Sequence, residues 1–236
     1  MDNITVDNIF SPEIKICQPA KGYRFSTDSI VLLRFIKTKT FKRCLDIGAG
    51  SGVLSIYLYK VLYCHCVDAV ELQKDLFDCL KKTIEINNLK DAINIYNCDI
   101  NNFKPCKDYD IIVCNPPYRE SSRGKVSSNT MEKNARFKDF LKVEDIFKFA
   151  NKYLFNAGHL YICYDADLLI DLLSISRNFG LEPKRIMFLY PEQNRSAKLV
   201  FIEFRKNAGV ELLVEPPLIQ KTDGKDSEDF KNFIKL

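Results

Sequence analysis

The stretch RCLDIGAGSGVL, Arg43 to Leu54, decides how the rest of the chain is read. Arg43 to Ile47 has the apolar content of a short strand and ends at a glycine cluster. Residues 51–62 then carry an apolar helical pattern. Glycines at 48, 50 and 52 let the backbone turn sharply and approach a ligand closely. A strand passing through such a turn into a helix is the opening unit of a doubly wound α/β sheet, which binds ligands at the carboxyl ends of its strands. The spacing is G-x-G-x-G, which differs from the dinucleotide pattern G-x-G-x-x-G. No Walker lysine follows, which argues against a nucleoside triphosphate site.

The chain downstream repeats the alternation. Tyr63 to Val70 reads as a second strand, ended by Glu71, and residues 72–87 are amphipathic with Leu76, Leu80 and Ile84 at helical spacing. Ala92 to Cys98 is a third strand, ended by Asp99, and Tyr109 to Cys114 a fourth. A helix over 143–155, a strand from Leu160 to Tyr164 and a helix over 167–178 follow. Arg185 to Tyr190 and Lys198 to Phe204 have no helix between them. They are expected to pair as an antiparallel hairpin at one edge of the sheet. Upstream, Ser26, Thr27 and Asp28 offer N-cap chemistry to a helix near residues 28–37. Alternating strands and helices predict a Rossmann-like, doubly wound α/β sheet. The divisions expected are a front segment, 1–40, with its helix; a sheet domain, 41–206; and a tail, 207–236, with Pro216 and Pro217 and a short charged helix. All three are expected to form a single structural domain.

Composition sets limits on function. The chain has 236 residues, 46% hydrophobic and 28% charged, with a net charge of +4, as in an ordinary soluble protein that tolerates an anionic partner. Nine cysteines without a C-x-x-C pair, and only two histidines, argue against both a disulfide framework and a zinc site. Cys64-His65-Cys66 places its thiols on one face of an extended strand and the imidazole on the other, so packing is the expected role. Reduced cysteines fit a cytoplasmic address. MDNITVDNIF has no signal-peptide pattern, and no run approaches membrane-spanning length. No metal and no membrane partner are expected.

The chemistry gathers at strand ends. Candidate cofactor-binding residues are Asp46, Gly48, Ala49, Gly50 and Gly52 at the first turn, Glu71 and Leu72 after the second strand, and Asp99 and Ile100 after the third. A carboxylate at Glu71 can accept both hydroxyls of a ribose, and one at Asp99 can accept from an adenine amino group. This constellation resembles the class I S-adenosylmethionine methyltransferases over roughly residues 41–205. The resemblance implies a seven-stranded sheet whose last strand is antiparallel. It also implies a cofactor whose methionine part passes the glycine turn while Glu71 holds the ribose and Asp99 lies at the adenine.

The fourth strand runs into Asn115-Pro116-Pro117-Tyr118, the candidate catalytic residues. The Asn115 carboxamide and the Pro116 carbonyl are two acceptors. The prolines stiffen the loop, and Tyr118 offers a flat stacking surface. A conjugated –NH2 is a poor nucleophile because its lone pair is delocalised. Two acceptors gripping its N–H bonds would pull it toward tetrahedral geometry and aim the lone pair at a methyl donor. The motif resembles that of amino-methylating enzymes acting on adenine N6, cytosine N4, guanine N2 and the glutamine of release factors. The front stretch Gln18 to Ser29, the stretch Glu182 to Pro191 and the tail residues Glu215 to Leu218 resemble a bacterial group of small methyltransferases. That group includes the valine-tRNA adenine-N6 enzyme, which modifies the adenine 3′ of the anticodon. The resemblance implies that the helix near Ser29 lies over the cofactor and that tRNA, read at its anticodon loop, is the partner.

Between Arg119 and Lys138 six basic residues face two acidic ones. Arg119, Arg123, Lys125, Arg136 and Lys138 are candidate phosphate contacts, although a solvated surface loop has the same composition. Methylation of a protein glutamine amide, or of rRNA or DNA, and a non-catalytic RNA-binding module with this fold remain open. So does the oligomeric state, with a monomer compatible.

Overall fold

The computed structural model describes residues 4–9, 14–21, 24–37, 41–116 and 141–235. The strands are β1 (Ile4–Asn8), β2 (Lys15–Pro19), β3 (Arg43–Ile47), β4 (Cys66–Val70), β5 (Ile93–Tyr96), β6 (Tyr109–Cys114), β7 (Leu154–Asp165), β8 (Leu181–Glu192), β9 (Leu199–Lys206), β10 (Leu213–Val214), β11 (Leu218–Thr222) and β12 (Lys225–Asp226). The helices are α1 (Thr27–Phe35), α2 (Val53–Lys60), α3 (Lys74–Ile86), α4 (Val143–Tyr153), α5 (Leu169–Asn178) and α6 (Glu228–Ile234).

β1 and β2 form a separate hairpin, and the other strands make one sheet in the order β12-β11-β8-β9-β7-β6-β3-β4-β5, with β10 also on β8. β5, β4, β3, β6 and β7 are mutually parallel, and β9 is antiparallel to both its neighbours. Central parallel strands are covered on both faces, which is why Ile111, Ile112, Val113 and Cys114 are all fully buried. Alternate residues divide into two cores. Cys44, Val67, Ile111 and Val113 pack under α1, α2, α3 and α6; Leu45, Val70, Ile112 and Cys114 pack under α4 and α5.

The register levels the strand ends. Ile47 is opposite Val70 on one side and Cys114 on the other. The next residue along each strand (Gly48, Glu71, Asn115) therefore starts from a common line at the carboxyl edge.

The expected doubly wound sheet is present: β3 to β9 supply seven strands, the last of them, β9, antiparallel. The tail adds β10, β11 and β12, making ten strands among the described residues. One expectation is corrected: the hairpin of β8 and β9 is not at the edge, since β9 lies between β7 and β8 and the tail strands continue beyond β8. β9 buries Leu199, Val200, Phe201, Ile202 and Phe204, a content that needs neighbours on both sides. The tail is held by Arg185, 6% exposed, whose guanidinium donates to Glu203 Oε2 at 2.9 Å and Glu215 Oε1 at 3.3 Å. Lys37 also pairs with Glu215. The hairpin β1–β2 is a further addition, and it docks on α3 through Cys17 N–H to Thr83 Oγ1 at 2.9 Å.

Candidate functional site

At the carboxyl edge a crevice of about 710 Å³, open mouth included, lies over β3, β4 and β6. Gly48, Gly50, Glu71, Leu72, Asp99 and Asn115 are among its walls. Apolar side chains of Ile47, Val70, Leu76, Ile100 and Leu141 line it too, a surface suited to a flat base.

The glycine turn has the geometry that its sequence demands. Gly48, Gly50 and Gly52 have φ of 71°, 55° and 93°, values that L side chains rarely adopt. Gly48 and Ala49 donate their N–H groups to Val70 O at 2.9 and 3.1 Å, which ties the turn to the end of β4. At Gly52 a Cβ would come within 2.7 Å of Leu80 Cδ1, so the turn also packs directly on α3.

Glu71, 4% exposed, braces the turn from the other side. Its Oε2 accepts from Gly50 N–H at 2.8 Å and its Oε1 from Gln73 N–H at 2.7 Å. Asn97 Nδ2 holds the same segment by donating to Glu71 O at 2.8 Å and Leu72 O at 3.0 Å. Burial raises the Glu71 pKa, and the N–H donors of Gln73, Gly50 and Leu72 pull it back. Each carboxylate oxygen keeps a second lone pair for a ligand hydroxyl.

Asp46 is fully buried beneath the turn, and its Oδ2 accepts from Ser55 Oγ at 2.6 Å. Its Oδ1 has no hydrogen-bond partner among the described residues. Burial pushes its carboxyl up to about 7; the Ser55 hydroxyl opposes this and the Glu71 charge reinforces it. Asp99 Oδ1 accepts from Asn101 N–H at 2.8 Å at the far end of the crevice. Two carboxyl groups, Glu71 and Asp99, on one apolar slot suit a ligand that carries positive charge, a base and a ribose. The residues present therefore fit the cofactor implied by the sequence.

Asn115 follows β6 and is 7% exposed. Its Nδ2 donates to Ser29 Oγ of α1 at 2.9 Å. Pro116 is buried beside it. Pro117, Tyr118, Arg119, Arg123, Lys125, Arg136 and Lys138 lie outside the described residues.

Among the expected cofactor residues, Gly48, Gly50, Glu71, Leu72, Asp99 and Ile100 meet in the crevice. Asp46, Ala49 and Gly52 are not on its wall; they shape the turn from below and behind. Ser29, Gln73, Leu76, Cys98 and Leu141 are at the site but were not among the candidates. Cys98 and Gln73 sit beside chosen acids, so proximity to a strand end was a usable signal. Nothing local in the sequence marks Ser29, which lies 86 residues from its partner.

The family of the methyltransferase small domain matches residues 23–180. The tRNA1(Val) (adenine(37)-N6)-methyltransferase of Parabacteroides distasonis is 25% identical over 182 residues, 76% of each chain. The enzyme of that name from Tolumonas auensis is 27% identical over 220 residues, 92% of this chain and 91% of its own. Among solved structures, a predicted O-methyltransferase of Agrobacterium tumefaciens gives a TM-score of 0.66 at 16% identity, covering 88% of this chain and 96% of its own. The N-methyltransferase NodS of Bradyrhizobium japonicum, in complex with S-adenosyl-L-homocysteine, gives 0.54 at 14% identity, covering 77% and 86%. These two share the Rossmann-like fold. With the family match spanning well over half of its residues, the chain belongs to the methyltransferase small domain family and uses S-adenosyl-L-methionine as its cofactor.

Proposed function

We propose that this methyltransferase modifies the exocyclic N6 amine of an adenine in tRNA. The observation that carries the reading is the placement of Asn115: a buried carboxamide in the same crevice as the glycine turn, Glu71 and Asp99. The relatives named tRNA1(Val) (adenine(37)-N6)-methyltransferase support the choice of substrate.

When bound, the cofactor supplies a methyl group already activated on a sulfonium. The protein's share of the work is then position and electrostatics. Glu71 would accept from the ribose hydroxyls and Asp99 from the adenine amino group of the cofactor, with the glycine turn beside its methionine part. Asn115 Oδ1 and Pro116 O accept from the two N–H bonds of the substrate amine. That grip localises the nitrogen lone pair and directs it along the line of transfer. Tyr118 stacks on the target base, and Arg119, Arg123, Lys125, Arg136 and Lys138 bind phosphates as the base is extruded. An anticodon loop is single-stranded, so its bases are available for such stacking. The front helix borders the cofactor, and a tRNA substrate puts the reaction in the cytoplasm.

The test is nucleoside mass spectrometry of total tRNA incubated with the protein and S-adenosyl-L-methionine. The expected product is N6-methyladenosine. Labelled methyl appearing in protein and not in tRNA would overturn the assignment in favour of a glutamine side-chain amide.

A further inference from the structure

An Asn side chain has two ends of nearly equal size and opposite hydrogen-bonding character. To grip a substrate –NH2, Asn115 must present its oxygen. A half-turn about its last side-chain torsion would present Nδ2, so that two donors faced each other. The proposed chemistry therefore needs the carboxamide held steady by a neighbour.

Ser29 meets that need. It lies in the first turn of α1 and is 5% exposed, and its Oγ accepts from Asn115 Nδ2 at 2.9 Å. Its own placement is fixed by a chain of contacts. Ser29 N–H donates to Ser26 O at 3.1 Å. One residue earlier, Phe25 N–H donates to Gln18 Oε1 at 3.0 Å, and Gln18 is 2% exposed. Gln18 Nε2 donates in turn to Asp7 Oδ2 at 2.6 Å, which also pairs with Arg24 at 2.7 Å. Together with the bond from Cys17 to Thr83, these contacts anchor the start of α1 to the hairpin β1–β2 and to α3.

We infer that Ser29 is a positioning residue: its hydroxyl holds the Nδ2 end of the Asn115 carboxamide and so steadies the orientation of the group proposed to grip the substrate amine. The inference rests on the amine-gripping role proposed for Asn115. It gives the front hairpin a purpose: holding a hydroxyl against a catalytic side chain supplied by a distant strand.

Two readouts test it. The first is the Asn115 side-chain amide signal in ¹H–¹⁵N spectra of the protein, identified by its loss in Asn115→Asp. Ser29→Ala should shift this pair and speed its exchange with solvent, and Ser29→Thr should restore it. The second is steady-state kinetics. Ser29→Ala should lower kcat by about ten- to a hundredfold, as small misplacements of a reacting geometry do. KM for tRNA and cofactor affinity should stay within about twofold of wild type, with kcat recovered in Ser29→Thr. An amide pair unmoved by Ser29→Ala would overturn the bond. A moved pair with unchanged kcat would overturn its positioning role, as would a folded Ser29→Thr no better than Ser29→Ala. If the wild-type protein methylates no tRNA, the substrate assignment fails, while the amide signal still decides the bond.

Discussion

Asp46→Asn is the most informative perturbation of the turn. In the folded protein the Asp46 carboxyl is raised from an ordinary 3.8 to about 7. A folded state with the higher pKa binds the proton more tightly than the unfolded chain. Its stabilising contribution is therefore complete below 3.8 and is lost as pH rises through about 7. Relative to the unfolded chain, burying this carboxyl costs roughly 2 kcal/mol at pH 5 and roughly 4 kcal/mol at pH 8, taking about 1.4 kcal/mol per tenfold change in proton affinity. Asp46 is fully buried, so solvent screening does not reduce these figures appreciably. A carboxamide keeps an acceptor for Ser55 Oγ and removes the titration. It also introduces an amide donor, whose cost is independent of pH. The stability of Asp46→Asn relative to wild type should therefore improve by roughly 2–3 kcal/mol between pH 5 and pH 8. Guanidinium unfolding of the cofactor-free protein measures this, under reductant because of the nine free cysteines. Far-UV circular dichroism is the probe, since the chain has no Trp. A relative stability equal at the two pH values within about 0.5 kcal/mol would refute the reasoning. A group that weakens the fold at neutral pH yet stands under a cofactor turn is the kind of stability cost that functional sites retain.

Three further substitutions probe the crevice. Glu71→Ala removes the acceptor proposed for the ribose and frees Gly50 and Gln73 N–H. Cofactor affinity by titration calorimetry should fall about tenfold or more, as for other charged hydrogen bonds, and an unchanged Kd would eliminate the assignment. Asn115→Ala should reduce methyl transfer by at least about 10²-fold while leaving cofactor affinity near that of wild type; surviving activity would rule out the amine grip. Gly52→Ala forces a Cβ to 2.7 Å from Leu80 at a φ of 93° and should destabilise the protein by about 1–3 kcal/mol, read as a lower thermal midpoint.

The central sheet was readable because its strands are short, apolar and punctuated by glycine or an acid. Arg43–Ile47 and Tyr109–Cys114 match β3 and β6 in both extent and type. The strand ends were readable for the same reason, and register then brings Gly48, Glu71 and Asn115 to one edge. The additions at both chain ends were less legible. β10 and β12 are two residues each, and Pro216 and Pro217 interrupt the pattern before β11. β1 and β2 alternate too weakly to announce a hairpin, and the buried middle of β2 docks on α3. Strand insertion was also hidden, because periodicity reports burial and not neighbours. Ser29 reads as one more residue of a buried helix until Asn115 is seen beside it.

The interposition of β9 has a consequence for how the chain assembles. During synthesis β8 leaves the ribosome before β9, yet its only route to β7 is through β9. The two must zip together as a local pair, or β8 must wait with its bonding edges bare. Arg185 on β8 waits likewise, since its carboxylate partners, Glu203 and Glu215, are both made later. Closure of this half of the sheet is thus a late, concerted event, and a nascent chain halted between residues 192 and 199 would expose a sticky, unpaired ribbon.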